Sequence, residues 1–229
     1  MLEKELHLER DLFLFLNGSD SAYWDNFFYI YSGISTWIVF YLCFIAVFIY
    51  KRQWKEIVCT IVAVTLVITL CDQLSSSVCK PLFHRFRPTH HPDFEMLVDT
   101  VKGLKGGLYG FFSGHAANSF GFATFTALLF RNRLFTATIL TFAILNAYSR
   151  IYLGLHFISD IVAGMAVGVL MGYLGYFLFN FARQKWLKIP VSELKRAVYP
   201  KQAVYFLTGV YGLHLLAFFL FENQLIKLF

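Results

Sequence analysis

The sequence predicts an all-α polytopic membrane protein, a bundle of about six transmembrane helices with an interfacial helix at its N-terminus. Hydrophobic residues make up 58% of the 229 residues, charged residues make up only 15%, and the mean hydropathy is +0.58. Soluble domains usually contain about 25% charged residues. Several apolar runs also reach the roughly 20 residues that a bilayer-spanning helix needs. Because no long linker or repeat divides the chain, we expect a single domain over residues 1–229.

The first predicted element covers residues 3–16, which are charged at the start and apolar towards the end. Leu8, Leu12, Phe15 and Leu16 recur at helical spacing, which is typical of an amphipathic helix lying in the membrane interface. The Asn-Gly pair at 17–18 then predicts a turn.

Six apolar runs follow, and a polar segment over residues 81–111 separates the second from the third. The fourth and fifth runs are separated by a short break at 150–156. The predicted spans cover about 27–50, 57–79, 115–130, 134–149, the stretch after that break to about 181, and 202–221.

The basic residues lie mostly at the ends of these runs and predict the orientation of the bundle. Eleven of the twenty Lys and Arg residues fall in the 51–55, 131–133 and 183–201 segments, all on one side if the spans alternate. The positive-inside rule makes that side cytoplasmic. Both termini and the 81–111 segment would then be extracytoplasmic. The net charge of +6 therefore indicates membrane topology rather than nucleic-acid binding.

Three short segments carry the chemistry, and all three fall at the predicted outer ends of spans. They are KPLFHRFRP at 80–88, FSGH at 112–115 and SRIYLGLHFISD at 149–160. Lys80, Arg87 and Arg150 would place three cations at a membrane edge, where a charge needs a partner or a function. Three converging cations suit a doubly charged anion such as a phosphate monoester.

The second and third segments add an anion site and a possible nucleophile. Ser113 and Gly114 begin the third span, and a helix N-terminus offers backbone N–H groups to an anion. His156 and Asp160 are four residues apart, so a helix would place both on one face, where the carboxylate could orient the imidazole for nucleophilic attack. His115 could protonate a leaving oxygen.

In this order and spacing, the pattern K-x6-RP, xSGH and SR-x5-H-x3-D resembles the type 2 phosphatidic acid phosphatase superfamily, in particular its membrane branch. The resemblance implies that His156 attacks phosphorus to form a phosphohistidine, that Asp160 orients it, and that His115 protonates the leaving alcohol. It also implies phosphate binding by Lys80, Arg87, Ser113, Gly114 and Arg150, with no metal or other cofactor. Phe112 departs from the family pattern, which has proline there, and this puts the stiffness of the loop in doubt.

The expected function is hydrolysis of a lipid phosphate monoester or diphosphate on the extracytoplasmic face of a bacterial inner membrane. Candidate substrates are a polyprenyl diphosphate, phosphatidic acid, phosphatidylglycerophosphate and a lipid A phosphate, and neither the substrate nor the oligomeric state follows from the sequence. A lipid phosphotransferase using the same intermediate is an alternative. A transporter or flippase is another, although there is no inverted repeat and the charged cluster lies at one face.

Other polar residues leave their roles open. His84, Arg85, His90 and His91 lie in the polar segment and could contact a substrate head group, but their spacing is not that of a zinc site. Asp72 in the second span is expected to make a helix contact. Gly164, Gly168 and Gly172 repeat every four residues and predict close helix packing. The four cysteines lack metal-ligand spacing: Cys43, Cys59, Cys71 and Cys79.

Overall fold

A computed structural model describes residues 2–228, with side chains described from residue 9 onward, and shows regular structure that is helical throughout that range. The predicted all-α class is therefore confirmed. The α-helices are α1 (Leu2–Leu16), α2 (Ala22–Ser32), α3 (Ile38–Ile49), α4 (Trp54–Gln73), α5 (Lys80–Phe83), α6 (Gly114–Phe130), α7 (Arg133–Tyr152), α8 (Ile158–Trp186), α9 (Val191–Leu194) and α10 (Lys201–Leu225).

Four helical stretches in the described residues are long and apolar enough to cross a membrane. They are Trp54–Phe83, which joins α4 to α5 through a π-helical turn, and α7, α8 and α10. A fifth is reached if α2 and the stretch Ser35–Ile49 count as one bent span. The predicted third span corresponds to α6, which has 17 residues. The predicted number of six is therefore not confirmed.

The first predicted span, 27–50, is not one continuous helix. The chain bends by 72° between α2 and the following helix. Gly33 has an extended backbone and ends α2, and its N–H donates to the Ile30 carbonyl at 3.0 Å. The Thr36 hydroxyl shares its one proton between the carbonyl oxygens of Gly33, at 2.6 Å, and Ile30, at 2.9 Å. These carbonyls are thus satisfied without a continuing helix, which permits the bend.

The centre of the bundle is the contact between α6 and α8. An added Cβ on Gly164 would lie 2.5 Å from the Ser113 carbonyl oxygen, and one on Gly168 would collide with the Ala117 carbonyl oxygen. Only glycine lets the two backbones come this close. The predicted packing face is confirmed, and it holds the start of α6 against the start of α8.

The N-terminal helix packs against the bundle at the same end. Phe13 of α1 is buried and its ring centroid lies 5.2 Å from that of Phe157, just before α8. The predicted apolar face includes Leu8, whose side chain lies outside the described part of the chain. α1 therefore covers the ends of helices that carry the sequence motifs.

Candidate active site

The three sequence motifs meet at one end of the bundle. The first spans α5 and the loop after it, the second begins α6, and the third runs from the end of α7 to the start of α8. Two predicted positions need correction. Arg150 lies in the last turn of α7 rather than in the break, and His156 lies in the connection before α8 rather than in a helix.

His156 is buried, and its two ring nitrogens face different groups. Nε2 lies 3.1 Å from an Arg87 guanidinium nitrogen. Because a guanidinium only donates hydrogen bonds, Nε2 must accept, and the ring proton therefore resides on Nδ1. Nδ1 lies 3.4 Å from Asp160 Oδ2, within ion-pair distance but without a hydrogen bond. The imidazole thus presents an unprotonated nitrogen to the cationic cluster.

Burial, together with the positive charges of Arg87, Arg150 and Lys80, lowers the pKa of His156 well below its usual value. The Gly110 carbonyl opposes this shift. The imidazole is therefore neutral at neutral pH, which is the form that can act as a nucleophile.

Asp160 is fully buried at the third position of α8 and has a defined partner for each oxygen. Oδ1 accepts from an Arg85 guanidinium nitrogen at 2.7 Å, and Oδ2 accepts from the Phe157 backbone N–H at 3.1 Å. Asp160 and His156 lie beside each other as predicted, but the predicted hydrogen bond between them is not formed in this structure. The turn that begins α8 brings them together, rather than a shared helical face, because His156 precedes the helix.

Three cations surround His156, as the motifs predict. Arg87 is 8% exposed and also donates to the Leu155 carbonyl at 2.9 Å, while Arg150 donates to the Ser32 hydroxyl at 2.5 Å. Lys80 is half-buried and within electrostatic range of both arginines. Within residues 9–228, none of the three forms a salt bridge. Asp72 and Asp160 are close enough to attract Lys80, and Asp160 attracts Arg87, but three cations not held in salt bridges still favour binding of an anion.

Ser113 caps α6 and is completely buried. Its hydroxyl oxygen accepts from the Ala116 backbone N–H at 3.4 Å, and its own backbone N–H donates to the Asp160 carbonyl at 3.0 Å. That N–H is therefore engaged by α8, and only the hydroxyl proton of Ser113 remains to bind phosphate. Gly114 follows at the first turn, where an added Cβ would lie 3.2 Å from Ser75 Oγ.

His115, on the first turn of α6, is half-buried and within electrostatic range of His156 and all three cations. His115 also lines an apolar cavity of about 380 Å³ between α3, α4, α6 and α7. His115 thus stands between the cationic cluster and an apolar space inside the bundle.

The loop before α6 is held by contacts that the sequence did not reveal. Ser75, in the π-helical turn, donates to the Phe112 carbonyl at 2.8 Å, and the Phe112 side chain is buried. These contacts restrain the loop at the position where the family pattern has proline. π-Helical turns occur frequently at functional sites.

The polar segment contains residues whose predicted roles remained open. His84 packs edge-on against Tyr109, and His91 Nδ1 accepts from the Asp93 backbone N–H. Asp72 is exposed and lies near Gly114. In the part of the chain described by the structure, no three His, Cys, Asp or Glu residues come close enough together to hold a metal ion.

Arg85 and Glu9 are the residues that the motif pattern did not assign. Arg85 does not point towards a substrate, because it is buried and bonds to both Asp160 and Glu9. Because Arg85 lies inside the first motif segment, two residues before Arg87, the sequence did place it near the candidate site. Glu9 had none, since it is one of several charged residues at the start of α1.

The PAP2 superfamily model matches residues 58–184, which include all three motifs. The chain belongs to the PAP2 superfamily. It is 45% identical over 203 residues to a lipid A 4'-phosphatase of Porphyromonas gingivalis, covering 89% of this chain and 86% of that protein. It is 40% identical over 179 residues to a lipid A 4'-phosphatase of Bacteroides thetaiotaomicron, covering 78% and 80%.

A phosphatidylglycerophosphatase B of Bacillus subtilis is more distant, with 27% identity over 136 residues covering 56% of this chain and 59% of that protein. No solved structure shows a significant match to this chain. The family, the relatives and the apolar helices together make this PAP2 protein an integral membrane lipid phosphatase, a phosphoric-ester hydrolase.

Proposed function

We propose that this PAP2 phosphatase removes the 4'-phosphate of lipid A on the extracytoplasmic side of a bacterial inner membrane, through a phosphohistidine intermediate. Similarity across most of the chain to two lipid A 4'-phosphatases supports the substrate. The observation that carries the mechanism is the unprotonated Nε2 of His156, directed at a cluster of cations without salt-bridge partners.

In the first step, His156 Nε2 attacks phosphorus and the bond from phosphorus to the leaving oxygen breaks. The negative charge of the bound phosphate offsets the surrounding cations and allows His115 to take up a proton from solvent, which it then gives to that oxygen, so the dephosphorylated lipid leaves as a neutral alcohol. Lys80, Arg87 and Arg150 neutralise the charge on the other phosphate oxygens. In the second step His115 takes a proton from water, the water oxygen bonds to phosphorus, and the bond from phosphorus to nitrogen breaks. Inorganic phosphate leaves and His156 is restored.

Two further groups assist these steps. Asp160 stabilises the proton on Nδ1 while positive charge develops on the ring. The Ser113 hydroxyl and the start of α6 add hydrogen-bond donors to the phosphate site, and Gly114 allows close approach. The residues assigned to phosphate binding supply positive charge without a metal ion, and independence from metals stays a prediction.

The charge distribution supports the extracytoplasmic location. The site lies at the ends of helices opposite the 51–55, 131–133 and 183–201 segments, which hold eleven of the twenty Lys and Arg residues. By the positive-inside rule those segments are cytoplasmic, and the site end then faces outward.

The cavity beside His115 supports a lipid substrate. Its polar lining consists mainly of His115, Asn118, Ser119 and Asn146. The rest is lined mainly by apolar side chains of the helices, including Trp37, Tyr41, Phe44, Phe48, Val64, Ile68, Phe122 and Phe142. A hydrocarbon chain placed there would extend into the bundle while its phosphate stays beside His156.

The test is phosphate release in detergent micelles containing EDTA, with wild type and His156→Ala side by side. The substrates are lipid A, phosphatidic acid, phosphatidylglycerophosphate and a polyprenyl diphosphate. We expect wild type to prefer lipid A, to release one inorganic phosphate for each lipid dephosphorylated, and to lose activity in the variant. Loss of activity in EDTA, activity in His156→Ala, or preference for another lipid would each contradict the corresponding part of the proposal.

A further inference from the structure

Arg85 bridges two carboxylates beneath the proposed nucleophile. One guanidinium nitrogen donates to Asp160 Oδ1 at 2.7 Å and the other donates to Glu9 Oε1 at 2.9 Å. The Arg85 side chain is only 3% exposed. The rings of Phe111 and Phe157 lie 5.9 and 5.2 Å from the guanidinium carbon. The guanidinium is therefore held in one orientation by both charge and packing.

Glu9 also holds the first turn of α8. Its Oε2 accepts from the Ser159 backbone N–H at 2.8 Å, and its Oε1 accepts from the Ser159 hydroxyl at 2.6 Å. The first N–H groups of a helix have no partner within the helix, and a negative charge at this end is favourable. A side chain from α1 thus caps the helix that carries Asp160.

The way Arg85 divides its hydrogen bonds fixes the orientation of the Asp160 carboxylate beside His156. Arginine commonly pairs with a carboxylate through two parallel hydrogen bonds. Here it gives one nitrogen to each of two carboxylates, so its contact with Asp160 is confined to Oδ1. Oδ2 remains directed at His156 Nδ1 and at the Phe157 N–H. Without Glu9, Arg85 would be free to take both oxygens of Asp160 and to draw Oδ2 away from the imidazole.

We infer that Glu9 and Arg85 are positioning residues that fix the Asp160 carboxylate against His156, which makes α1 part of the active site rather than only an interfacial anchor. This inference rests on the proposed role of His156 as the nucleophile. Phe13 supports it from the same helix, because its ring packs against Phe157 beside Arg85. Neither Glu9 nor Arg85 needs to touch the substrate.

The experiment compares Glu9→Gln with Asp11→Asn, a matched control. Both substitutions remove one negative charge from α1, but Asp11 is exposed. Glutamine retains an oxygen that can accept from Ser159 while it loses the charge that engages Arg85. We expect kcat to fall about tenfold in Glu9→Gln, the size of effect seen when a carboxylate that orients a metal-bound histidine is lost, because Asp160 is then held less firmly against His156. KM and inhibition by inorganic phosphate should stay within about twofold of wild type, because the phosphate-binding cations are unchanged.

Two results would overturn the inference. One is a kcat for Glu9→Gln equal to that of Asp11→Asn. The other is a loss of thermal stability with kcat and KM impaired together, which would indicate a purely structural role. If Glu9→Gln does not fold, Glu9→Asp takes its place, because it keeps the charge but withdraws it from Arg85, with the same expected loss of kcat alone.

His156→Ala is assayed in the same series to distinguish failure of the inference from failure of the proposed mechanism. If it is inactive while Glu9→Gln behaves like the control, the inference fails and the proposed mechanism stands. If it retains activity, the proposed mechanism fails and the inference fails with it.

Discussion

The two ends of the bundle both bury arginine, but they neutralise it differently. At the end opposite the motifs, Arg183 and Arg52 share the carboxylate of Glu56, at 3.2 and 3.4 Å. At the motif end, Arg87 and Arg150 contact only neutral groups within the described part of the chain, namely a carbonyl oxygen, an imidazole and a hydroxyl.

In the proposed mechanism, this difference separates arginines that stabilise the fold from arginines that bind the substrate phosphate. A buried cation paired with a carboxylate has its charge compensated within the protein, so it gains little from an external anion. A buried cation that meets only neutral groups keeps its charge available for a phosphate. Arg85 shows that the distinction follows pairing rather than location, because it lies at the motif end but is bonded to Asp160 and Glu9.

The largest expected effect is at an unpaired cation. Arg87→Gln should lower kcat/KM by about 10²- to 10³-fold, because one of the charges that stabilise the phosphate in the transition state is lost. Phosphate release in micelles measures it. The control is Arg133→Gln, which removes an exposed cation at the opposite end. Equal activity of the two variants would show that unpaired charge at the motif end does not bind substrate.

The complementary experiment removes Arg183, a cation that is paired with a carboxylate. Arg183→Gln should reduce the free energy of unfolding by about 3 kcal/mol, since it leaves the buried Glu56 with only Arg52 as partner. Thermal unfolding in detergent measures the loss, and kcat/KM of the folded variant should stay near the wild-type value. A variant that is stable but inactive would contradict the assignment of Arg183 to stability rather than to catalysis.

A third prediction concerns the apolar cavity beside the cations. Val64→Trp, which projects into the cavity from α4, should raise KM for a lipid phosphate about tenfold by excluding its hydrocarbon chain. Hydrolysis of the soluble substrate para-nitrophenyl phosphate should be little changed. Val62→Trp on the exposed face of the same helix is the control. An equal loss with both substrates would place the defect in folding rather than in chain binding.

The smallest expected effect is on the pH dependence of stability. The pKa of His156 is lowered in the folded protein by burial and by the neighbouring cations, relative to about 6.5 in an unfolded chain. The unfolded state therefore binds the proton first as pH falls. The stability contributed by neutral His156 is present above pH 6.5 and is lost as pH falls towards the folded pKa.

Melting temperatures at pH 7.5 and 5.5 measure this effect in wild type and His156→Ala. Wild type should lose more stability on acidification than the variant, which has no imidazole to protonate. An identical decrease in both proteins would mean that His156 is not held in the neutral form.

Much of the site could be predicted because its residues occur in short, ordered segments. Lys80 and Arg87 share one segment, and Arg150, His156 and Asp160 share another, so their grouping follows from local spacing. The break in the first span was less predictable, because a glycine such as Gly33 is also common within continuous transmembrane helices. The break depends on the contacts of Thr36 with the carbonyls of Ile30 and Gly33, which only the folded structure shows.

The sequence by itself determined the helical membrane class and predicted the candidate phosphate-binding residues and their meeting at one end of the bundle, because hydropathy and motif spacing are local properties. The tertiary structure alone decided which cations remain unpaired and brought Glu9 to Arg85 across 76 residues of chain. It also decided that the Ser113 N–H is occupied by the Asp160 carbonyl. Such pairings depend on how helices pack together, and an individual charged residue in a sequence does not indicate its partner.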